Sequence, residues 1–356
     1  MNLVAHHAIG FGLALGLLAY VGWVARHTSI KSASFASVGA LVLLLFAGIA
    51  SALGHSEESF SAVLLLSRTA LLHLPLYLVG VGMILRRSAS RVAVLYWVAT
   101  GIIGLVALDA FIIEPHWLEV TTHTISSAKL TEPVRVIVLA DIQTDKPGRY
   151  EARVLSTTMA LDPDLILFVG DYIQLGRRSR SYMDEIDALR ALMVEAGLHA
   201  PLGAYAVEGN VDEPGWRHAF DDLPVTIIEE TATYDLGPVV LTGLGMWDSF
   251  GKTVAIEPRE AFHIVFGHSP NFSLGPVEAD LLIAGHNHGG QVRLPFVGPL
   301  INMSRVPRSW VSGLTTIAPG KTLIVSRGIG MERGHAPRLR FLCRPELVII
   351  DLVPAE

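Results

Sequence analysis

The sequence predicts a chain in two parts: an N-terminal four-helix transmembrane region and a C-terminal α/β domain. Three observations carry this reading. Of the 356 residues 51% are hydrophobic and only 17% are charged, where about 25% charged is ordinary for a soluble protein. The few charges are unevenly spread. Residues 1–113 hold six Lys/Arg and three Asp/Glu, and the rest of the chain holds 21 and 30. Beyond Pro115 the pattern changes to short apolar runs rich in β-branched residues, each ending in an acid, an amide or a histidine, as strands that run into polar loops do. We therefore divide the chain into a transmembrane region over 1–113 and an α/β domain over 114–356.

Four apolar runs, roughly 3–25, 36–54, 61–85 and 92–113, are each long enough to cross a hydrocarbon core of about 30 Å. The first is too long and too poor in N-terminal positive charge for a cleaved signal peptide. The loops between them differ in charge. The first carries Arg26 and Lys31, the second only Glu57 and Glu58, and the third Arg86, Arg87 and Arg91. Loops rich in Lys and Arg stay in the cytoplasm. The expected orientation puts loops one and three inside. The N-terminus and the rear domain then lie outside, on the periplasmic or extracellular face of the cytoplasmic membrane.

In the rear domain, Trp117–Ile125 alternates enough for an edge strand. Five further runs follow. Val134–Ala140 leads into Asp141, Leu165–Val169 into Gly170 and Asp171, and Tyr205–Val207 into Gly209 and Asn210. Ile264–Phe266 leads into Gly267 and His268, and Leu281–Ala284 into Gly285, His286, Asn287 and His288. Helical stretches near 148–161 and 181–196 fill two of the gaps. Apolar strands with amphipathic crossovers indicate a sheet covered on both faces. In such sheets ligands bind beyond the carboxyl ends of the strands, where all five polar clusters fall.

Asp141, Asp171, Asn210, His268, His286 and His288 offer two carboxylates, one amide and three imidazoles. This mixture of N and O donors, with no thiolate, suits Mn, Fe, Zn or a similar divalent ion. Six donors are too many for one tetrahedral site, and two ions bridged by a carboxylate would use them all. The single cysteine, Cys343, excludes an intramolecular disulfide and a zinc site built on several thiolates, and reads as a small buried hydrophobe. The acidic balance of the rear domain argues against a nucleic-acid partner.

The ordered series Asp141-Ile142-Gln143, Gly170-Asp171, Gly209-Asn210-Val211-Asp212, Gly267-His268 and Gly285-His286-Asn287-His288 resembles the signature of the calcineurin-like metallophosphoesterases, over about residues 133–353. The stretch Gly285–Gln291 followed by Pro295, and the tail Ser326-Arg327-Gly328-Ile329-Gly330 with Arg338, Pro345 and Glu346, resemble its bacterial membrane-anchored branch. The resemblance implies a four-layer α/β/β/α sandwich. It also implies ligands: Asp141, Gln143 and His288 on a first metal, Asn210, His268 and His286 on a second, and Asp171 bridging them. Asp171, Asn210 and His268 would be the catalytic residues.

Two positions depart from the commonest pattern. Gln143 stands where the family usually has His, and offers a neutral, harder carbonyl oxygen. Val211 stands where a His often follows the Asn, and can neither donate a proton nor stabilise charge through its side chain. Arg177 and Arg178, soon after Asp171, are candidates to clamp a phosphate or an anionic headgroup.

The function so implied is a membrane-anchored, dinuclear metal-dependent phosphoesterase. It would hydrolyse a phosphomonoester or phosphodiester, lipid-linked or envelope-linked, by attack of a hydroxide made available between the two cations. Membrane lipid is the other expected partner. Two alternatives remain. One is a UDP-diacylglucosamine-type pyrophosphatase on the cytoplasmic face, which needs the opposite topology. The other is a metal-stabilised binding or sensory module without turnover, which Gln143 and Val211 alone favour.

Overall fold

The structure is a computed structural model and describes residues 3–54, 59–175, 181–334 and 336–355. The chain separates into compact units, one formed by the front helices and the other by Glu114–Gly334 with Arg338–Glu356. Each is described by itself.

The front unit comprises α1 (Leu3–His27), α2 (Ile30–Leu53), α3 (Ser59–Arg68), α4 (Leu74–Leu85) and α5 (Ser90–Leu108). A π-helical turn, Thr69–His73, joins α3 to α4, so the two form one continuous helix. Pro75 explains the turn. Proline offers no N–H and its ring crowds the carbonyl one turn back, and the wider π geometry relieves that conflict. Among the described residues, four helical stretches are long and apolar enough to cross a membrane: His7–His27, Ile30–Leu53, Phe60–Leu85 and Ser90–His116. The second starts six residues before the hydropathy pattern suggests. Ser29 caps it by accepting from the Ser32 N–H, so the polar turn around Lys31 is already helical. Inside the unit, Tyr77 donates to the Ser37 carbonyl at 2.6 Å, and the Ser37 and Tyr96 hydroxyls meet at 2.8 Å. Polar groups there satisfy one another across helices, as an apolar surrounding requires.

The rear unit contains β1 (Glu119–Ser127), β2 (Val134–Leu139), α6 (Arg149–Ala160), β3 (Leu165–Phe168), α7 (Tyr182–Ala196), β4 (Ala204–Val207), β5 (Val225–Ile228), β6 (Ala232–Asp235), β7 (Val240–Gly243), α8 (Met246–Phe250), β8 (His263–Phe266), β9 (Leu281–Ala284), β10 (Arg293–Leu294), β11 (Gly298–Pro299), β12 (Gly313–Ala318), β13 (Lys321–Val325) and β14 (Glu346–Pro354). One six-stranded sheet has the order β1-β14-β2-β3-β4-β5, and a second has β12-β13-β9-β8-β7-β6. The strand expected at Trp117–Ile125 is at the edge of the first sheet, as β1. It pairs parallel with the C-terminal strand β14, which runs antiparallel to β2.

Every second residue of the central strands faces the space between the sheets. Val134, Val136 and Val138 of β2, Leu165 and Leu167 of β3, Ile264 and Phe266 of β8, and Leu281 and Ile283 of β9 form that shared core. The alternate residues face outward and are buried too. Ile137, Leu139, Ile166 and Phe168 lie under Val154 and Leu155 of α6 and Ile186, Leu189 and Met193 of α7. Val265, Leu282 and Ala284 lie under Phe272 and Val277. The strands are apolar on both faces because each separates two cores, which is why they carry no period-two pattern.

Candidate metal centre

The strand ends that the sequence singles out meet at one place. β2, β3 and β4 of the first sheet run parallel, as do β8 and β9 of the second. Asp141 and Gln143 follow β2, Asp171 follows β3, Asn210 follows β4, His268 follows β8, and His286 and His288 follow β9. Asp171, His268 and His286 bring ligand atoms within 4.8 Å of one another, and so do Asp141, Asp171 and His288. The two groups share Asp171.

Hydrogen bonds orient each donor. His268 Nδ1 lies 2.8 Å from the Val169 carbonyl, and its Nε2 faces Asp171 Oδ2 at 3.2 Å and Asn210 Oδ1 at 3.1 Å. A ring nitrogen spent on a backbone carbonyl fixes which nitrogen turns to the site. The His286 N–H donates to Asp141 Oδ1 at 3.0 Å, tying the two sheets together at the site. The Val211 N–H donates to Asp171 Oδ1 at 3.0 Å, so this position contributes through its backbone although its side chain is inert.

Asp212 is the hub behind these loops. Its carboxylate accepts from the N–H groups of Asp171 (2.9 Å), Tyr172 (2.8 Å) and Gly209 (2.8 Å). The backbone is strained here. Asp141, Gln143, Asp171, His286 and His288 all have positive φ, between 32° and 69°, a region that costs non-glycine residues free energy and concentrates at functional sites.

Gln143 Oε1 and both ring nitrogens of His288 are buried with no hydrogen-bond partner among the described residues. A neutral imidazole has one N–H and one acceptor nitrogen, so each of these side chains leaves one buried acceptor unpaired, which is costly, and both belong to residues expected to bind metal. Burial lowers the His286 imidazole to about 4. Burial, helped by the Arg340 charge, lowers His288 well below the usual range. Both rings are therefore neutral, the form that ligates metal. Burial pushes Asp141 up to about 7. For His268 burial works against charge, but the Asp171 carboxylate outweighs it and holds the ring at about 9, so a bound ion would have to displace that proton. With His268 neutral the donor set fits a pair of divalent ions.

Gln143 is locked in place. Its amide nitrogen donates to Glu332 Oε2 and to Gln174 Oε1, each at 3.1 Å, and Gln174 donates to Glu332 Oε1 at 2.5 Å. A carboxylate only accepts, so Glu332 fixes the sense of both amides and leaves Gln143 Oε1 turned from it without a partner. Gln291 accepts from the Glu332 N–H, and Arg333 donates to the Gln143 carbonyl while pairing with Asp145 at 3.0 Å. Sequence reasoning missed this network.

It also missed Arg340. This fully buried guanidinium donates to the carbonyls of Arg327, Gly328, Gly330 and Cys343, and holds the tail loop against the site. A Cβ on Gly328, whose φ is 73°, would sit 2.8 Å from Asp141 Cβ and 3.2 Å from His288 Nδ1. Arg338, which the sequence had singled out, pairs instead with Asp145 at 2.6 Å. Cys343 is buried and free, with Sγ 3.2 Å from the His288 carbonyl. Arg177 and Arg178 lie outside the described residues.

A two-sheet sandwich with Asp and His donors at its strand ends is the architecture of a metal-dependent hydrolase, and the comparisons name the kind. Residues 134–290 match the family described as calcineurin-like phosphoesterase. That stretch resembles the family, and together with the relatives it supports a metal-dependent phosphoric ester hydrolase. It is 29% identical over 265 residues to an uncharacterized metallophosphoesterase of Bacillus subtilis, YkuE, covering 67% of this chain and 87% of the relative. It is 27% identical over 257 residues to the phosphodiesterase YaeI of Escherichia coli, covering 67% and 90%. It is 23% identical over 285 residues to the UDP-2,3-diacylglucosamine pyrophosphatase LpxG of Chlamydia muridarum, covering 61% and 83%.

Proposed function

We propose that residues 114–356 form a dinuclear phosphoesterase that residues 1–113 anchor in the cytoplasmic membrane by four spans. On this reading it acts on a lipid-linked or envelope-linked phosphoester at the outer face. The observation that carries the dinuclear reading is the pair of donor groups sharing Asp171, one of which contains His288 with both ring nitrogens unpartnered. Asp141, Gln143 and His288 would hold the first ion and Asn210, His268 and His286 the second, with Asp171 available to both. The first set has more oxygen donors and favours a harder ion such as Mn²⁺.

Bound divalent ions would supply a nucleophile at neutral pH and neutralise charge on the phosphoryl oxygens. The chain's residues set the geometry for that chemistry. Asp171 is held by the Val211 N–H and, through its own N–H, by Asp212. His268 presents Nε2 because Val169 holds Nδ1. Asn210 faces the same nitrogen from the more open side. Val211 has no proton to give, so the leaving group must depart without help from that position. This favours diesters or anhydrides with acidic leaving groups over alkyl monoesters.

The test uses the full chain in detergent with Mn²⁺, assayed on bis-p-nitrophenyl phosphate and p-nitrophenyl phosphate. Metal-dependent cleavage that favours the diester, lost in Asp171→Asn and in His268→Ala, is the expected result. Absence of metal-dependent cleavage of either compound would overturn the reading.

The similarity to a UDP-2,3-diacylglucosamine pyrophosphatase favours a second reading, hydrolysis of a nucleotide-linked lipid of that kind, which the sequence reading pairs with the cytoplasmic face. The loop charges support the outward orientation. A reporter fused after Glu356 that works only in the cytoplasm would reverse the choice.

A further inference from the structure

We infer that the hairpin of β10 and β11 is a lipid-contacting finger that seats on an anionic membrane surface beside the metal centre. The tip consists of Leu294, Pro295, Phe296 and Val297. Phe296 is completely exposed, with its backbone at φ 65°, and Leu294 and Val297 are 40% and 56% exposed. A bulky aromatic residue in the left-handed region is strained, and a clustered apolar tip in water is unfavourable. Both costs fall on the same residue.

The tip is not a loose loop. Arg293 pairs with Pro299 and Leu294 with Gly298. The Arg293 N–H donates to the Phe341 carbonyl at 2.9 Å, and its guanidinium reaches Ser312 Oγ at 2.9 Å and the Gly289 carbonyl at 3.3 Å. The Leu300 N–H closes the base on the Val292 carbonyl at 3.1 Å. A rigid stem therefore holds apolar side chains out in water, only five residues beyond His288.

Charge identifies the occupant. From Leu281 to Met331 the sequence contains no Asp or Glu but five basic residues, Arg293, Arg305, Arg308, Lys321 and Arg327. The rear part as a whole has an acidic excess. Arg305 and Arg308 are exposed, and Arg308 donates to the Leu300 carbonyl at the base of the hairpin. Arg327 is paired with Glu119 and Glu346, which leaves Arg305 and Arg308 as the exposed arginines, Arg308 at the base of the hairpin; an apolar tip beside exposed arginines, in a stretch of chain without acids, matches the boundary between acyl chains and anionic headgroups. A protein partner would not require the acids to be missing over so long a stretch. The four spans keep a lipid surface within reach of the chain. If the metal centre is the active site proposed above, the finger meets lipid substrates at headgroup level.

The test reads lipid contact, not catalysis, so its failure is separate from failure of the proposed activity. The full chain carrying Phe296→Cys is labelled with the fluorophore NBD, Cys343 being buried, and placed in nanodiscs of phosphatidylcholine with or without phosphatidylglycerol. Glu260→Cys, at an exposed position, is the control. Blue-shifted emission at 296, quenched several-fold by headgroup-proximal doxyl lipid, is expected in the phosphatidylglycerol discs, with water-like emission at 260. Adding Arg305→Ser and Arg308→Ser should weaken that quenching. Cleavage of bis-p-nitrophenyl phosphate unchanged by Phe296→Cys would verify the fold. Water-like emission at 296 in both discs would overturn the inference. So would equal quenching in both discs, or a blue shift in detergent that grows with protein concentration, which would mean self-association.

Discussion

In the front unit Phe35, Leu95 and Phe46 are 82%, 69% and 68% exposed, while Phe168, Phe262, Phe266 and Phe272 of the rear unit are at most 1% exposed. The interiors differ as well. The front unit buries many small residues, among them Ala14, Ala33, Ala40 and Ala93, where the rear unit buries branched and aromatic ones. Both patterns follow one rule, which is to keep apolar surface away from water. A helix bundle in lipid has its water-free surroundings on the outside and draws its cohesion from close packing and shared polar groups. A soluble sandwich has them only between its layers. The difference extends to polar groups. The front unit pairs them across helices, as with Tyr77 and Ser37, whereas the rear unit gathers them at strand ends and leaves several without protein partners.

Mutations test this contrast most sharply at the strand ends. Asp171→Asn removes the charge shared by both donor groups, and turnover should fall on the order of 10³-fold with little change in melting temperature. Retained turnover would mean that Asp171 is structural and that the strand ends are ordinary polar caps.

Next comes the core between the sheets. Ile264→Ala should cost about 3 kcal/mol, seen as a lower melting temperature of the full chain in detergent. A cost near zero would mean the sheets do not pack as tightly as their burial implies.

Glu332→Leu frees the Gln143 amide to rotate. Metal affinity should fall about 10-fold to 100-fold, read by equilibrium dialysis of Mn²⁺, and Gln143→His in the same background should recover part of it. Unchanged affinity would show that Gln143 does not need the lock.

The front unit should respond less. Tyr77→Phe deletes one interhelical hydrogen bond, for about 0.6 kcal/mol, measurable by thermal melting in detergent. Leu95→Ala, on an exposed face, should stay within about 0.5 kcal/mol. A loss for Leu95→Ala as large as that for Ile264→Ala would break the comparison, because it would mean the exposed face is packed against protein.

Much of the site was legible because its residues announce themselves locally. Asp141, Asp171, Asn210, His268 and the pair His286 and His288 each close an apolar run, which places them beyond the carboxyl ends of strands. Glu332 and Gln174 gave no such signal. They lie 189 and 31 residues from Gln143, and an isolated acid or amide in a loop reads as solvated. Arg340 looked no different from Arg338, two positions earlier, although one is buried under carbonyls and the other pairs with Asp145. Among the strands, β5 and β6 are four-residue segments at sheet edges, too short for a period to register. β14 is a long apolar run with no polar cluster after it, and its antiparallel place between β1 and β2 depends on contacts more than 200 residues apart.

What the sequence determined by itself is therefore what is written in contiguous residues. It determined the division into an apolar front and a charged rear, the four helices able to span a membrane, and the donor types at strand ends. Hydropathy and periodicity are properties of neighbouring residues, and they need no knowledge of the fold. The two facing sheets and the sharing of Asp171 followed from the family resemblance and not from local pattern, and only the tertiary structure shows the donor atoms meeting. It alone decided that a distant carboxylate fixes the Gln143 amide, and that the residues after His288 hold Phe296 out in the open. Each of these depends on groups far apart in the chain meeting within a few ångströms, where burial and hydrogen bonding act between them and where no local pattern records the encounter.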